Sequence, residues 1–287
     1  MSLELVFLGT GTSAGIPMIG CAEGACASDD PRDRRDRPSV LVRYPDASMP
    51  DDEKAAAFNP KQAGHRQLLI DTCPELRQQA IREKLSRIDG VLFTHGHADH
   101  IFGLDDLRRF NAVMGGPVDI YAEASVIDLL KQIFNYIFES HTNINQSFVA
   151  TLIPHVLTPG MPIQLFGAVW TPIRLLHGRL PILGFRVDFR GASLAYCTDV
   201  SGIPPETYPH LDHLDVLVLD ALRFRHHPTH QTVDRAVEVA QHIAAKQTYF
   251  THMAHDIIHA EVDPQLPDGI NLAYDGLGVE VSGNAMQ

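Results

Sequence analysis

Apolar residues along this chain fall into short runs separated by polar, glycine- or proline-containing turns. Leu3–Leu8 is the first run. Val91-Leu92-Phe93, Ile173-Arg174-Leu175-Leu176, Ala195-Tyr196-Cys197-Thr198, Val216-Leu217-Val218-Leu219 and Gln247-Thr248-Tyr249-Phe250-Thr251 come after it. Runs this short and apolar predict buried strands, and Ser39–Tyr44 and Leu68–Asp71 join them. Helical periodicity fills Pro74–Leu85, Ser125–Phe138 and Thr232–Ala245, the last opening on Thr232, whose hydroxyl can cap a helix start. In the second helix Ile127, Leu130, Ile133, Phe134 and Ile137 share one face, which predicts packing on the core rather than a partner groove. Strands alternating with helices place the chain in the α/β class.

A chain of 287 residues is long enough for two domains, but α/β layers of this size often form one. No linker, repeat or low-complexity tract divides it, so a single domain over residues 1–287 is expected. The polar stretch Pro45–Gln67 lacks a hydrophobic period and is expected to be an exposed, mobile loop, or else a substrate-covering lid.

The formal charge of −12 argues against nucleic acid as a main partner, because binding it rests on clustered Lys and Arg. The basic cluster Arg32-Asp33-Arg34-Arg35-Asp36-Arg37 is offset by its own aspartates and reads as a solvated turn or a local salt-bridge lattice. The chain enters its first strand without a signal-peptide pattern, and no apolar segment reaches the roughly 20 residues of a membrane span. Four irregularly spaced cysteines do not suggest a disulfide framework. A reducing, cytoplasmic setting without a membrane partner is expected.

Against this background stands Thr94-His95-Gly96-His97-Ala98-Asp99-His100, directly after the strand Val91-Leu92-Phe93. Imidazole and carboxylate are the ligands through which zinc, manganese or iron acts on water. Gly96 is expected to let the backbone turn sharply, so that a loop aims these side chains into one pocket. The competing reading is a solvated, histidine-rich loop. His177, Asp199 and His252 each come directly after an apolar run and supply further donors; singly, each would more often be a hydrogen-bonded structural residue. The glycines of Gly9–Gly15 fail the dinucleotide fingerprint, since Pro17 stands where a helix should open. A turn passing near the metal pocket fits them better.

The order H-x-H-x-D-H and then His, Asp and His resembles the metallo-β-lactamase superfamily of hydrolases. The likeness runs from Phe7-Leu8-Gly9-Thr10-Gly11-Thr12 to Tyr274-Asp275-Gly276-Leu277. It implies a four-layer αβ/βα metallo-β-lactamase sandwich with two divalent metal ions, zinc or manganese. By the resemblance, His95, His97 and His177 would hold one ion, Asp99, His100 and His252 the other, and Asp199 would bridge them. A redox di-iron relative would carry a carboxylate at the His97 position.

Within the superfamily, four segments resemble the phosphodiesterases related to the cyclic ribosyl phosphate hydrolase of phosphonate breakdown, the PhnP type. They are Gly9-Thr10-Gly11-Thr12-Ser13-Ala14-Gly15-Ile16-Pro17, the loop Gly20–Cys26, Asp29-Asp30-Pro31-Arg32-Asp33, and Gly103-Leu104-Asp105-Asp106-Leu107-Arg108. Such relatives often carry a structural zinc on three cysteines and a histidine. Here the set would be Cys21, Glu23, Cys26 and His255, with Glu23 in place of the middle cysteine, against a metal-free loop packed by reduced thiols. Cys73 and Cys197 are expected to be buried apolar groups.

The implied mechanism is hydrolysis of a small cyclic or diester phosphate by a hydroxide bridging metals about 3.5–4 Å apart. His230 would be the general acid and Asp220 its orienting partner; with Asp99 among the ligands these form the expected catalytic group. Asp71 would steady a ligand histidine. His226 and His227 compete with His230, and Arg108, Arg109 and Arg223 are weaker candidates for holding phosphate. The alternatives are a thioester or lactone hydrolase of the same fold, a transfer-RNA 3′-processing nuclease suggested by His230-Gln231-Thr232, and a non-catalytic metal-binding protein. Relatives suggest a homodimer.

Overall fold

The computed structural model describes residues 2–49, 57–139 and 147–283. In chain order the strands begin β1 Leu3–Gly9, β2 Ser39–Pro45, β3 His65–Ile70, β4 Gly90–Leu92, β5 Val118–Ala122, β6 Leu152–Val156 and β7 Ile163–Leu165. They continue β8 Ala168–His177, β9 Leu180–Phe189, β10 Ala192–Cys197, β11 Val216–Asp220, β12 Gln247–Thr251, β13 Ile270–Leu272 and β14 Gly278–Val281. The helices are α1 Leu76–Arg82, α2 Ala98–Ile101, α3 Leu107–Met114, α4 Ala124–Ile133, α5 Asn135–Phe138, α6 Val233–Ile243 and α7 His259–Val262, with short 3₁₀ turns between them. Among the described residues no helix is long and apolar enough to cross a membrane.

Two compact units divide the chain, residues 39–158 and residues 1–38 with 159–287. In the first, β2-β3-β4-β5-β6 lie in that order; β2 and β3 are antiparallel, and β3 to β6 are parallel. Parallel strands need covered faces, and Leu68, Leu69, Ile70, Val91 and Leu92 are accordingly all buried. In the second unit β14 pairs antiparallel with β1, and seven strands form a sheet in the order β13-β12-β11-β10-β9-β8-β7. Its β10 to β13 are parallel, whereas β7 to β10 form an antiparallel meander. The stripe Val233, Ala236, Val239 and Ala240 of α6 packs with Leu217, Leu219 and Phe250, each large apolar side chain contributing about 1.5–3 kcal/mol.

Several sequence expectations change in detail. Thr232 does cap α6, its hydroxyl accepting from Arg235 N at 3.2 Å. The single helix expected over Ser125–Phe138 is instead α4 and α5, broken at Phe134, and Ile133 faces outward. Only Val126, Ile127, Leu130 and Phe134 of that stretch are buried, because α4 turns its stripe inward for little more than two turns. The stretch Pro45–Gln67 is not a wholly exposed loop. Gln62 is buried, donates to Lys84 O at 2.7 Å and accepts from Gln67 Nε2 at 2.9 Å, which ties the segment before β3 to the end of α1. Residues 50–56, where a lid would fall, lie outside the described residues. Of the two readings of the basic cluster, the local salt-bridge one fits: Arg32 pairs with Asp30 and the fully buried Arg35 with Asp33, each at 2.7 Å.

Candidate functional site

Asp71, His177, Asp199, Asp220 and His252 each sit at, or within two residues past, the C-terminal end of a strand. In the unit of residues 39–158, Asp71 comes directly after β3 and adopts φ +63°, a left-handed conformation unusual for a residue with a side chain. Its buried carboxylate organises the segment after β4. Oδ1 accepts from Thr94 N at 2.8 Å, and Oδ2 accepts from Thr94 Oγ1 at 2.8 Å and faces His100 Nδ1 at 2.7 Å. Burial pushes the Asp71 carboxyl up, against a lesser lowering pull from the His100 ring. With Nδ1 committed to Asp71, the donor nitrogen of neutral His100 is Nε2, which lies 3.5 Å from Asp99 Oδ2. Thr94 Oγ1 also reaches His95 Nδ1 at 2.9 Å. The His95 ring lies 4.5 Å from that of His97 and 4.2 Å from that of His100.

The motif is not a loop throughout. His97 is the N-cap of α2, so Asp99 and His100 sit on a helical turn, with the Asp99 carboxylate at its favourable N-terminal end. Gly96 also lies close under a side chain of α4. A Cβ there would lie 2.3 Å from Leu129 Cδ2, the tip of a leucine side chain that would have to move aside.

In the other unit, His177 ends β8 and its Nδ1 lies 2.9 Å from Thr229 O, a contact it makes as donor, leaving Nε2 as the ligand nitrogen. Asp199 stands after β10 at φ +59° and accepts from Thr198 Oγ1 at 2.7 Å. His252 stands after β12 at φ +60°, with Nε2 3.4 Å from Asp199 Oδ1. Asp220, the last residue of β11, is fully buried; its Oδ2 accepts from Val200 N at 2.9 Å and faces His230 Nδ1 at 2.8 Å. Burial pushes the Asp220 carboxyl up, and His230 and then His252 draw it down.

The His230 ring stacks on His252 at 4.7 Å and meets His177 edge-on at 4.7 Å. The donor atoms of His177, Asp199 and His230 lie within 4.8 Å of one another, as do those of Asp220, His230 and His252. Imidazoles with one nitrogen already committed, alongside buried carboxylates, are a donor set that suits a divalent first-row metal.

Other candidates are committed elsewhere. Arg223 donates to the carbonyls of Arg225 at 3.1 Å and His226 at 2.9 Å, so it shapes its own loop. Arg108 lies 3.2 Å from Asp105, Arg109 is exposed, and His226 is exposed. His227 Nδ1 accepts from Thr229 N at 3.3 Å, and burial lowers its pKa. Around Cys26 the loop is an apolar cluster with Ile16 and Ala25, flanked by Met18 and Cys21. Cys26 Sγ accepts from Met18 N at 3.3 Å, and Ala25 N donates to His255 O at 2.7 Å. No three of Cys21, Glu23, Cys26 and His255 form one of the clustered donor groups among the described residues. Cys73 and Cys197 are buried, and burial pushes the Cys197 thiol up to about 12.

Thr94, Thr198 and the Thr229 carbonyl were not singled out as orienting groups from sequence. The available signal was only that each threonine stands next to or near a donor, which threonines often do.

The model of the beta-lactamase superfamily domain matches residues 66–253. Among solved structures, a diphosphatase of the PhnP family is 43% identical with a TM-score of 0.82, covering 98% of this chain and 97% of that one. Zinc-bound PqqB from Methylobacterium extorquens is 18% identical with a TM-score of 0.70, covering 96% and 99%, a likeness of fold alone. An octanoyltransferase of Porphyromonas gingivalis is 33% identical over 96% of this chain and 51% of its own length. The chain thus spans about half of that relative.

Proposed function

The chain belongs to the beta-lactamase superfamily, as a metallo-β-lactamase-fold hydrolase of the PhnP family, and from that premise we propose that it is a dinuclear metal-dependent phosphodiesterase acting on a small cyclic or diester phosphate. The observation that carries this reading is the His230–Asp220 pair, 2.8 Å apart, with its imidazole packed on His177 and His252. In the proposed assignment His95, His97, His177, Asp99, His100, His252 and Asp199 would together hold the two ions. When bound, divalent metals supply hydroxide near neutral pH and positive charge for phosphoryl oxygens.

The chain's own residues do the rest. Asp71 and the Thr229 carbonyl fix the tautomers of His100 and His177, so that each ring presents Nε2. Asp220 holds His230 by Nδ1, which leaves Nε2 to deliver a proton to a departing alkoxide. That need favours an ester. The related protein is a diphosphatase, and a phosphate leaving from a diphosphate is a better leaving group that asks less of an acid. Thioesters and lactones make no comparable use of such a histidine. The formal charge of −12 speaks against a transfer-RNA substrate. The apolar packing around Cys26 favours a thiol-packed loop over a third, zinc-bound one.

The deciding assay is hydrolysis of bis(p-nitrophenyl) phosphate by protein loaded with Zn²⁺ or Mn²⁺, with His97→Ala as control. Turnover lost in the variant supports the phosphodiesterase. Inertness of the fully metallated protein towards this diester and cyclic ribose phosphates overturns it, in favour of thioesters, lactones or a carrier.

A further inference from the structure

Three motifs that carry the family resemblance contain none of the proposed active-site donors: Gly9–Pro17, Asp29–Asp33, which ends two residues before Arg35, and Tyr274–Leu277. The first two, with Arg35, bond to the segment just after His252, and the third bonds to Thr10 and Asp36. Met253 N donates to Thr10 O at 2.9 Å and Thr12 N donates to Met253 O at 3.1 Å, forming a parallel bridge with Gly11 between. Gly11 is required there, since a Cβ would lie 2.8 Å from Arg35 O. From the other side the buried Arg35 guanidinium donates to Ala254 O at 3.1 Å and Ile257 O at 2.7 Å. Asp33 Oδ1 accepts from Arg35 Nη2 at 2.7 Å and from His259 N at 2.9 Å. Asp275 ties the two holders together: Oδ1 accepts from Thr10 N at 2.9 Å and Thr10 Oγ1 at 2.8 Å, and Oδ2 accepts from Asp36 N at 2.7 Å.

This clamp restrains a conformation that would not persist unaided. His252 stands at φ +60°, a left-handed backbone that a residue with a side chain holds only when its surroundings over-determine it. The turn leaving it, 253–259, has several of its backbone groups taken by Thr10, Thr12, Arg35 and Asp33.

We propose that Arg35, Asp33 and Asp275 are positioning residues that hold the 253–259 turn and so set where His252 presents its imidazole. The link to metal rests on the reading of His252 as a ligand; the link to the turn does not. Arg35 touches neither substrate nor metal in this scheme. The guanidinium suits this place by its shape: Nη1 reaches Ala254 O while Nη2 reaches both Asp33 Oδ1 and Ile257 O, a spread over two atoms that an ammonium, with its three donors on one nitrogen, does not have.

The test uses the full chain carrying Asp33→Asn and Arg35→Met together. Removing both charges avoids a stranded buried ion, and the introduced amide oxygen can still accept from His259 N. Amide hydrogen exchange on the metal-free protein is read at 253–259 and, for reference, at β11. Co²⁺ is then titrated in while the visible ligand-field bands are followed. Exchange at least about tenfold faster in the turn with β11 unchanged, together with Co²⁺ affinity about 10–100-fold weaker and altered bands, supports the proposal. Wild-type exchange in the turn overturns it, and so does faster exchange with unaltered Co²⁺ affinity and bands. A wild-type chain that binds no Co²⁺ defeats the ligand reading instead, and the exchange result alone then decides the clamp. Should the double variant not fold, Arg35→Lys keeps the charge opposite Asp33 but loses one carbonyl, and the same two measurements apply.

Discussion

Nδ1 of His230 lies 2.8 Å from Oδ2 of Asp220, a carboxyl with no exposed surface that also accepts from Val200 N at 2.9 Å. The carboxylate is thus held by the segment after β10 as well as by its place at the end of β11, and the ring is held by the carboxylate. His230 therefore has one orientation, flat against His252, with Nε2 directed away from Asp220.

If His230 protonates the leaving group, the effect of its loss depends on that group. His230→Ala should lower kcat by about 10²–10⁴-fold on a cyclic ribose phosphate and far less on bis(p-nitrophenyl) phosphate, whose nitrophenolate departs unaided. Steady-state kinetics on both substrates check this. Equal losses would assign His230 to structure or metal binding.

Asp71→Asn keeps an acceptor for Thr94 N but replaces the charged partner of His100 Nδ1. Metal affinity should fall about 10–100-fold, measured by competition with a chromophoric chelator. Unchanged affinity would mean that His100 needs no such support.

Metal removal should be visible in stability as well as turnover. A metal bound only by the folded chain, at 100 times its dissociation constant, contributes about 2.7 kcal/mol. Chelation should accordingly lower Tm, and His97→Ala should show a smaller drop on chelation than the wild type. Identical melting with and without chelator would argue against a metal that belongs to the native state.

Away from the site, Arg66 holds the Asp46 carboxyl at about 2, well below the usual carboxylate range, through a hydrogen bond of 2.7 Å. A carboxyl lowered by folding adds stability above its unfolded pKa and loses it as pH falls through the folded value. Wild-type stability should therefore decline between about pH 4 and pH 2, and Arg66→Met should flatten that part of the curve. Urea titrations across this range test it, and parallel curves for the two proteins would count against the assignment. Arg66 also pairs with Asp89 at 2.9 Å, so the variant should lose some stability at neutral pH too.

The features legible in the sequence were local ones. The strands β4, β8, β10, β11 and β12 were visible as apolar runs, and the donors were visible because each comes directly after such a run. Helix α6 announced itself by its period and its threonine cap. The nearness of Leu129 to Gly96 was not legible, since Leu129 lies on a separate helix that no pattern within the motif reveals. The break at Phe134 was likewise invisible in an unbroken apolar period.

Residue types and their spacing belong to the chain before it folds: an α/β order of elements, a dense set of imidazoles and carboxylates, and a family signature. Which groups hold those donors in place is a matter of the folded core. His100 meets Asp71 across 29 positions of chain, and Arg35 reaches Ala254 across 219. Periodicity and capping act over a few residues, because they track the pitch of a helix or the pleat of a strand. The partner of a buried charge is instead whichever segment the packed core brings to it. For that reason a run that reads as a solvated turn or a local salt-bridge lattice contains, once folded, a buried arginine bonded to the carbonyls of Ala254 and Ile257.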